Sequence, residues 1–120
     1  MLNIHAEPDG RVTLSDDDRP LGRARYLVTD AGEGLIQLLS IDVEPDVQRR
    51  GYGRRLLHGV YEAARAQLGT TPLRRVWVSA GNKVHVVARA FFTGEGYHHV
   101  GSNGGIYRDQ DLLIYVKSFD

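Results

Sequence analysis

The stretch VEPDVQRRGYGRRLL, residues 43–57, decides how this chain is read. It sets four arginines (Arg49, Arg50, Arg54, Arg55) around the turn Gly51-Tyr52-Gly53. Before it, LIQLLSIDV (35–43) is apolar almost throughout, the pattern of a central strand buried on both faces. After it, Leu56, Leu57, Val60, Tyr61, Ala64 and Leu68 recur at helical spacing, and Gly69 and Pro72 stop the run. The stretch is therefore a junction from buried strand through a glycine turn into an amphipathic helix.

Working outward, RVTLS (11–15) and LGRARYLV (21–28) alternate around the turn cluster DDDRP and read as a hairpin. DAGEG (30–34) is a second turn. LRRVWVSA (73–80) is a further strand. Asn82 can cap a second helix with apolar positions Val84, Val87, Ala88 and Phe91, closed by Gly94 or Gly96. YHHVG and DLLIYVKSF (111–119) supply the last strands. The expected order is β-β-β-α-β-α-β-β, without repeats or linkers. It predicts one α/β (α+β) domain over 1–120, with a mixed, mostly antiparallel central sheet and helices packed on it.

Totals narrow the function. The chain has 120 residues and a formal net charge of +0, so any anion site must be local. Nucleic acid and membrane are not expected partners. Among the 15 basic residues only Lys83 and Lys117 are lysines. With 0 cysteines, disulfides and thiolate metal sites are excluded, and no metal is expected. The start, MLNIHAEPDG, lacks a basic segment followed by an apolar run, and no run of about 18 apolar residues exists. The cytoplasm is the expected location.

At the junction, glycines permit a turn whose successive N–H groups point inward. The helix that follows adds its unpaired N–H groups and the positive end of its dipole. Arg49, Arg50 and Arg54 can add charge-assisted hydrogen bonds. Such a cradle suits a pyrophosphate, although Gly-x-Gly alone also fits a plain turn with a solvated arginine face.

The sequence then resembles a known family. Gln48-x-x-Gly51-x-Gly53, after Ile41-Asp42-Val43-x-Pro45, is similar to motif A of the GNAT N-acetyltransferases. Ala88-x-x-Phe91-Phe92-x-x-x-Gly96-Tyr97 is similar to their motif B. The resemblance covers residues 9 to 117 approximately and implies the acyl-CoA N-acyltransferase fold, here lacking the usual N-terminal helices. It implies acetyl-CoA as acyl donor and a primary amine, of a small molecule or a protein, as acceptor. Ile41, Asp42 and Val43 would pair their backbone with the pantetheine arm. Gln48, Arg49, Arg50, Gly51, Tyr52, Gly53 and Arg54 would hold the pyrophosphate. His85 and Phe92, on the second helix, would lie along the cofactor.

The chain departs from the family pattern in four places. The motif-B tyrosine that commonly serves as acid is Phe92, which leaves Tyr97, Tyr107 or Tyr115 for that role; Tyr97 is the candidate taken. The position of the glutamate base on the central strand is Gln37, which leaves Asp42 or Glu33; Asp42 is the candidate taken. The usual asparagine at the start of the second helix is His85, which could bond the cofactor or shuttle a proton. Residues 1–10 are expected to be too few for the strand and helices that shape the acceptor pocket. The acceptor side would then be open, or completed by a second subunit as a homodimer. The leading function is N-acetyl transfer. The rival is a coenzyme A-binding sensor or subunit of the same fold with little catalysis.

Overall fold

The computed structural model describes residues 1–81, 86–107 and 110–119. Among them the chain runs β1 (Leu2–Ala6), β2 (Arg11–Asp16), β3 (Arg19–Asp30), β4 (Leu35–Val43), α1 (Tyr52–Leu68), β5 (Arg75–Gly81), α2 (Val86–Gly94), β6 (His98–Tyr107) and β7 (Gln110–Ser118). A single 3-10 turn, Pro45–Val47, stands between β4 and α1. The class is α+β. The chain divides into two compact units, Met1–Leu73 and Arg74–Asp120.

In the first unit β1, β2, β3 and β4 form an antiparallel ladder in chain order. One face is closed by α1. Leu56, Leu57, Val60 and Ala64 of the helix are fully buried, as are Val12, Leu14 and Ile36 of the strands. Each large apolar side chain so buried contributes about 1.5–3 kcal/mol. The helix starts at Tyr52, directly after Gly51 in the left-handed region. It ends as expected at Gly69, whose N–H bonds the Arg65 carbonyl.

Two expectations change here. Residues 1–10 do contain a strand: β1 pairs with β2 from Leu2↔Asp16 to Ala6↔Val12. It reaches β2 through Glu7–Gly10 with no helix between, so the first ten residues lack the helices but not the strand. The second change concerns β4, which is not buried on both faces. Ile36 and Leu38 are buried, but Leu39 is 46% exposed and Ser40 and Asp42 are exposed. The register explains why. Tyr26 faces Leu38 and Arg25 faces Ser40, so Leu39 is an extra residue, a β-bulge. The bulge resets the alternation. Ile41, opposite Ala24, continues the helix-facing side, and Asp42 falls on the other.

In the second unit β7 lies between β5 and β6, antiparallel to both. Val76, Val78, Phe92, Tyr97 and Tyr115 form its buried apolar centre. The Phe92 ring packs against Phe91 and Tyr97, at centroid distances of 5.3 and 5.2 Å. The Tyr97 N–H bonds the Phe92 carbonyl at 3.0 Å, which folds the chain back at the end of α2. No helix among the described residues is long and apolar enough to cross a membrane.

Candidate functional site

The junction between β4 and α1 has the geometry that its sequence asks for. Val47 is buried and anchors the 3-10 turn. Gln48 donates from Nε2 to the Val43 carbonyl at 3.0 Å, tying the loop to the end of β4. Two residues then take positive φ, Arg49 at 65° and Gly51 at 80°. Left-handed residues on either side of Arg50 turn the backbone sharply, the conformation in which neighbouring N–H groups can converge on an anion. A Cβ built on Gly51 meets nothing within 4 Å, so the space beside it is open.

The first bond of the helix runs from the Arg55 N–H to the Gly51 carbonyl at 3.1 Å. The N–H groups of Tyr52, Gly53 and Arg54 precede it and have no acceptor inside the helix. The first turn carries no acidic residue, and Gly51 offers no side-chain cap. The positive end of α1 is thus left uncompensated by its own sequence.

Charge around the loop is sorted in the same sense. Glu44 accepts from Arg23 Nη2 at 3.2 Å, and Asp46 is paired with Arg19. Strand β3 therefore neutralises the two carboxylates of the loop. Arg49 and Arg50 are exposed, and among the described residues neither forms an ion pair. An uncompensated helix start, a pair of left-handed residues and two unopposed guanidiniums form a donor set that fits a pyrophosphate.

The other expected site residues fall as follows. Ile41 and Val43 are half-buried on the helix-facing side of β4, and Asp42 is exposed on the opposite side. Tyr52 and Gly53 are half-buried in the first turn of α1, and Arg54 is exposed. Gln37, where the family glutamate would stand, is half-buried on β4. Phe92 and Tyr97, in the second unit, are 3% and 2% exposed. His85 and the side chain of Tyr107 lie outside the described residues. Tyr115 is buried, with its ring 5.4 Å from that of His99. No cluster of three or more His, Asp or Glu able to hold a metal occurs among the described residues.

Sequence reasoning missed two features of the site. One is the bulge at Leu39, which leaves no mark in an apolar run. The other is the Arg19 and Arg23 pairing: Arg23 lay on a strand legible in the sequence, whereas Arg19 was read as part of the DDDRP turn and stands on β3 in the structure.

The model of the acetyltransferase (GNAT) family matches residues 2–96. The chain belongs to the GNAT acetyltransferase family. Among solved structures it is similar to a GNAT-family protein from Desulfovibrio desulfuricans, at 29% identity and a TM-score of 0.79, over 91% of this chain and 69% of that one. It shares its fold with the ribosomal-protein-S18-alanine N-acetyltransferase of Escherichia coli, at 19% identity and a TM-score of 0.75, over 93% of this chain and 70% of that one. It also shares it with the PaiA N-acetyltransferase of Thermoplasma acidophilum, solved in complex with coenzyme A, at 13% identity and a TM-score of 0.73, over 91% of this chain and 60% of that one. No curated protein matches the sequence.

Proposed function

We propose that this chain is an acetyl-CoA-dependent N-acetyltransferase that passes an acetyl group to a primary amine by direct attack in a ternary complex. The observation that carries the reading is the β4–α1 junction, where Arg49 and Gly51 take positive φ, the first turn of α1 carries no acidic residue, and both loop carboxylates, Glu44 and Asp46, are paired with arginines of β3. In the proposal those N–H groups, with Arg49, Arg50 and Arg54, hold the pyrophosphate of acetyl-CoA. Ile41–Val43 carry the pantetheine arm on backbone bonds, and Gln48 keeps the loop in register through Val43. Phe92 of the second helix, and His85, are assigned places along the cofactor. The one-domain reading is part of the proposal, because motif A lies in the first unit and motif B in the second.

In the reaction a neutral amine attacks the thioester carbon. A C–N bond forms, the C–S bond breaks, and coenzyme A leaves as thiolate. Asp42, exposed on the side of β4 away from α1, is assigned the amine proton, directly or through water. Tyr97 is assigned the return of a proton to sulfur. Holding both substrates together supplies much of the rate. The acceptor is a small-molecule or protein amine. With β1 leading straight into β2, no helix narrows that side within the first unit, which favours a bulky acceptor.

A second reading has its own observation. Phe92 stands buried where the family commonly places its acid, and phenylalanine has no proton to give. A coenzyme A-binding protein with little catalysis would tolerate that.

Calorimetric titration with acetyl-CoA, followed by assay of free thiol with and without amines, separates the two. Binding with thiol released only when an amine is present is the expected result. Binding without release against a broad amine panel establishes the second reading, and absence of binding removes both. Gly51→Ala and Gly51→Glu locate the site. Both incur the left-handed penalty of about 1 kcal/mol. Only Gly51→Glu adds a carboxylate to the cradle, so binding should survive the first and vanish in the second. Equal affinity in both variants removes the cradle.

A further inference from the structure

Between α1 and β1 lies a groove of about 490 Å³, lined by Ile4 and Ala6 of the strand and by Arg55, His58, Gly59, Glu62 and Ala63 of the helix. It is bounded by a free sheet edge, because within its unit β1 pairs only with β2. The phase of that edge can be read. Glu7 N–H bonds the Arg11 carbonyl at 2.8 Å, and Asp17 N–H bonds the Met1 carbonyl at 3.2 Å. In an antiparallel ladder every second residue points its backbone groups at the neighbour. The odd residues of β1 therefore face β2. The N–H and C=O groups of Leu2, Ile4 and Ala6 face outward.

Natural edge strands are blunted by charges, prolines or bulges. LNIHA carries no Lys, Arg, Asp, Glu or Pro. Its middle residue, Ile4, is 44% exposed. Even-numbered side chains of β1 face α1, since a Cβ on Gly59 would lie 3.0 Å from Ile4 Cγ2. Ile4 and Gly59 therefore stand at the same height.

We propose that the occupant of this edge is a second copy of the chain, paired β1 to β1 about a two-fold axis through Ile4. The register follows from the outward groups. Ile4 exchanges both backbone bonds with the partner's Ile4, and Leu2 and Ala6 pair with the partner's Ala6 and Leu2. All the outward donors and acceptors of β1 are then used, and the two exposed isoleucines cover each other.

Charge complementarity on α1 supports the same axis independently. Arg55 lies four residues before Gly59 and Glu62 three after it, about 6 Å and 4.5 Å along the helix. The two-fold reverses the partner's helix about the height of Gly59. Arg55 then comes level, within about 1.5 Å, with the partner's Glu62, and Glu62 with the partner's Arg55. Both side chains are exposed, and among the described residues neither forms an ion pair in the single chain. The small residues Gly59 and Ala63 leave the groove open for the two long side chains to meet over the paired isoleucines. An isologous interface requires this self-complementary order of charges.

Sedimentation of the full chain across a wide concentration series tests the pairing. Wild type should show a reversible monomer–dimer equilibrium. Ile4→Lys, which blunts the edge, should shift it to monomer. Arg55→Glu should raise the dimer dissociation constant by about tenfold or more. The double variant Arg55→Glu/Glu62→Arg should bring it back, because the charges are exchanged and the register kept. Circular dichroism of each variant checks the fold; the charge pair is solvent-exposed, so its reversal leaves the core alone. A chain monomeric at every concentration overturns the proposal. So does a dimer indifferent to both single substitutions, or a double variant that does not recover.

Discussion

Arg49 holds φ at 65°, a conformation that costs an L-residue about 1–2 kcal/mol relative to the right-handed region. Glycine would take it freely, at an entropic cost of about 0.5–1 kcal/mol. Arg49→Gly should therefore raise stability by about 0.5 kcal/mol in chemical denaturation, while weakening acetyl-CoA binding in the same calorimetric assay. A variant both less stable and equally tight would place the arginine in a structural role. Tyr26 yields a prediction of opposite character. Its ring is buried and its hydroxyl donates to Gln67 Oε1 at 2.9 Å. Burial pushes the phenol above its ordinary value. Because the folded pKa is the higher one, the protonated phenol favours the folded chain. That contribution is fully present below about pH 10, the unfolded value, and is lost as pH rises through the folded one. Stability of the wild type should fall in that alkaline range. Tyr26→Phe should flatten that part of the profile and lose about 1 kcal/mol at neutral pH with its hydrogen bond. An unchanged alkaline slope would mean that another group controls it.

Single elements differ in how far their sequence declares them. Helix α1 was legible because Leu56, Leu57, Val60 and Ala64 must all find one buried face, and periodicity records that demand. The glycine turn before α1 was legible because glycine at position 51 has a backbone reason, a φ of 80°. Strand β1 carried the signal Leu2, Ile4, Ala6 against Asn3 and His5, but it lies next to the turn-rich EPDG and its side chains are largely exposed, so no burial demand reinforced it. The bulge in β4 was illegible for a different reason: apolar residues tolerate either face, and the sequence LLSIDV does not say where the alternation slips. Catalytic roles were least legible, since Asp42 and Tyr97 were reached by elimination rather than by a motif. The packing of α1 on β1 gives a prediction at this scale. A Cβ on Gly59 would approach Ile4 Cγ2 and Cδ1 to 3.0 and 3.1 Å, and Val12 Cγ1 to 3.5 Å. Ile4 is half-exposed and can give way to one methyl, and alanine recovers about 1 kcal/mol of helix propensity. Gly59→Ala should thus be close to neutral. Gly59→Leu cannot be absorbed and should lose about 1–3 kcal/mol, read by urea unfolding at low protein concentration. Equal stability of the two variants would mean that the helix can lift off β1 at little cost.

At the scale of the whole molecule, the two compact units carry different parts of the proposed site. The cradle belongs wholly to Met1–Leu73, whereas Phe92 and Tyr97 belong wholly to Arg74–Asp120. A net charge of +0 gives the chain as a whole no long-range pull on an anionic ligand, so binding has to come from local contacts. If acetyl-CoA uses the cradle alone, the second unit gains nothing from it. If it uses the second helix as well, the ligand stabilises both units by mass action, about 2.7 kcal/mol at a hundred times its dissociation constant. Hydrogen exchange distinguishes the cases residue by residue. With saturating acetyl-CoA, amides 49–54 should slow, and amides in α2 and at Tyr97 should slow with them. Protection confined to the first unit would separate coenzyme A binding from Phe92 and Tyr97. It would remove Tyr97 as the acid and leave the acetyl group with only the first unit's residues to act on it.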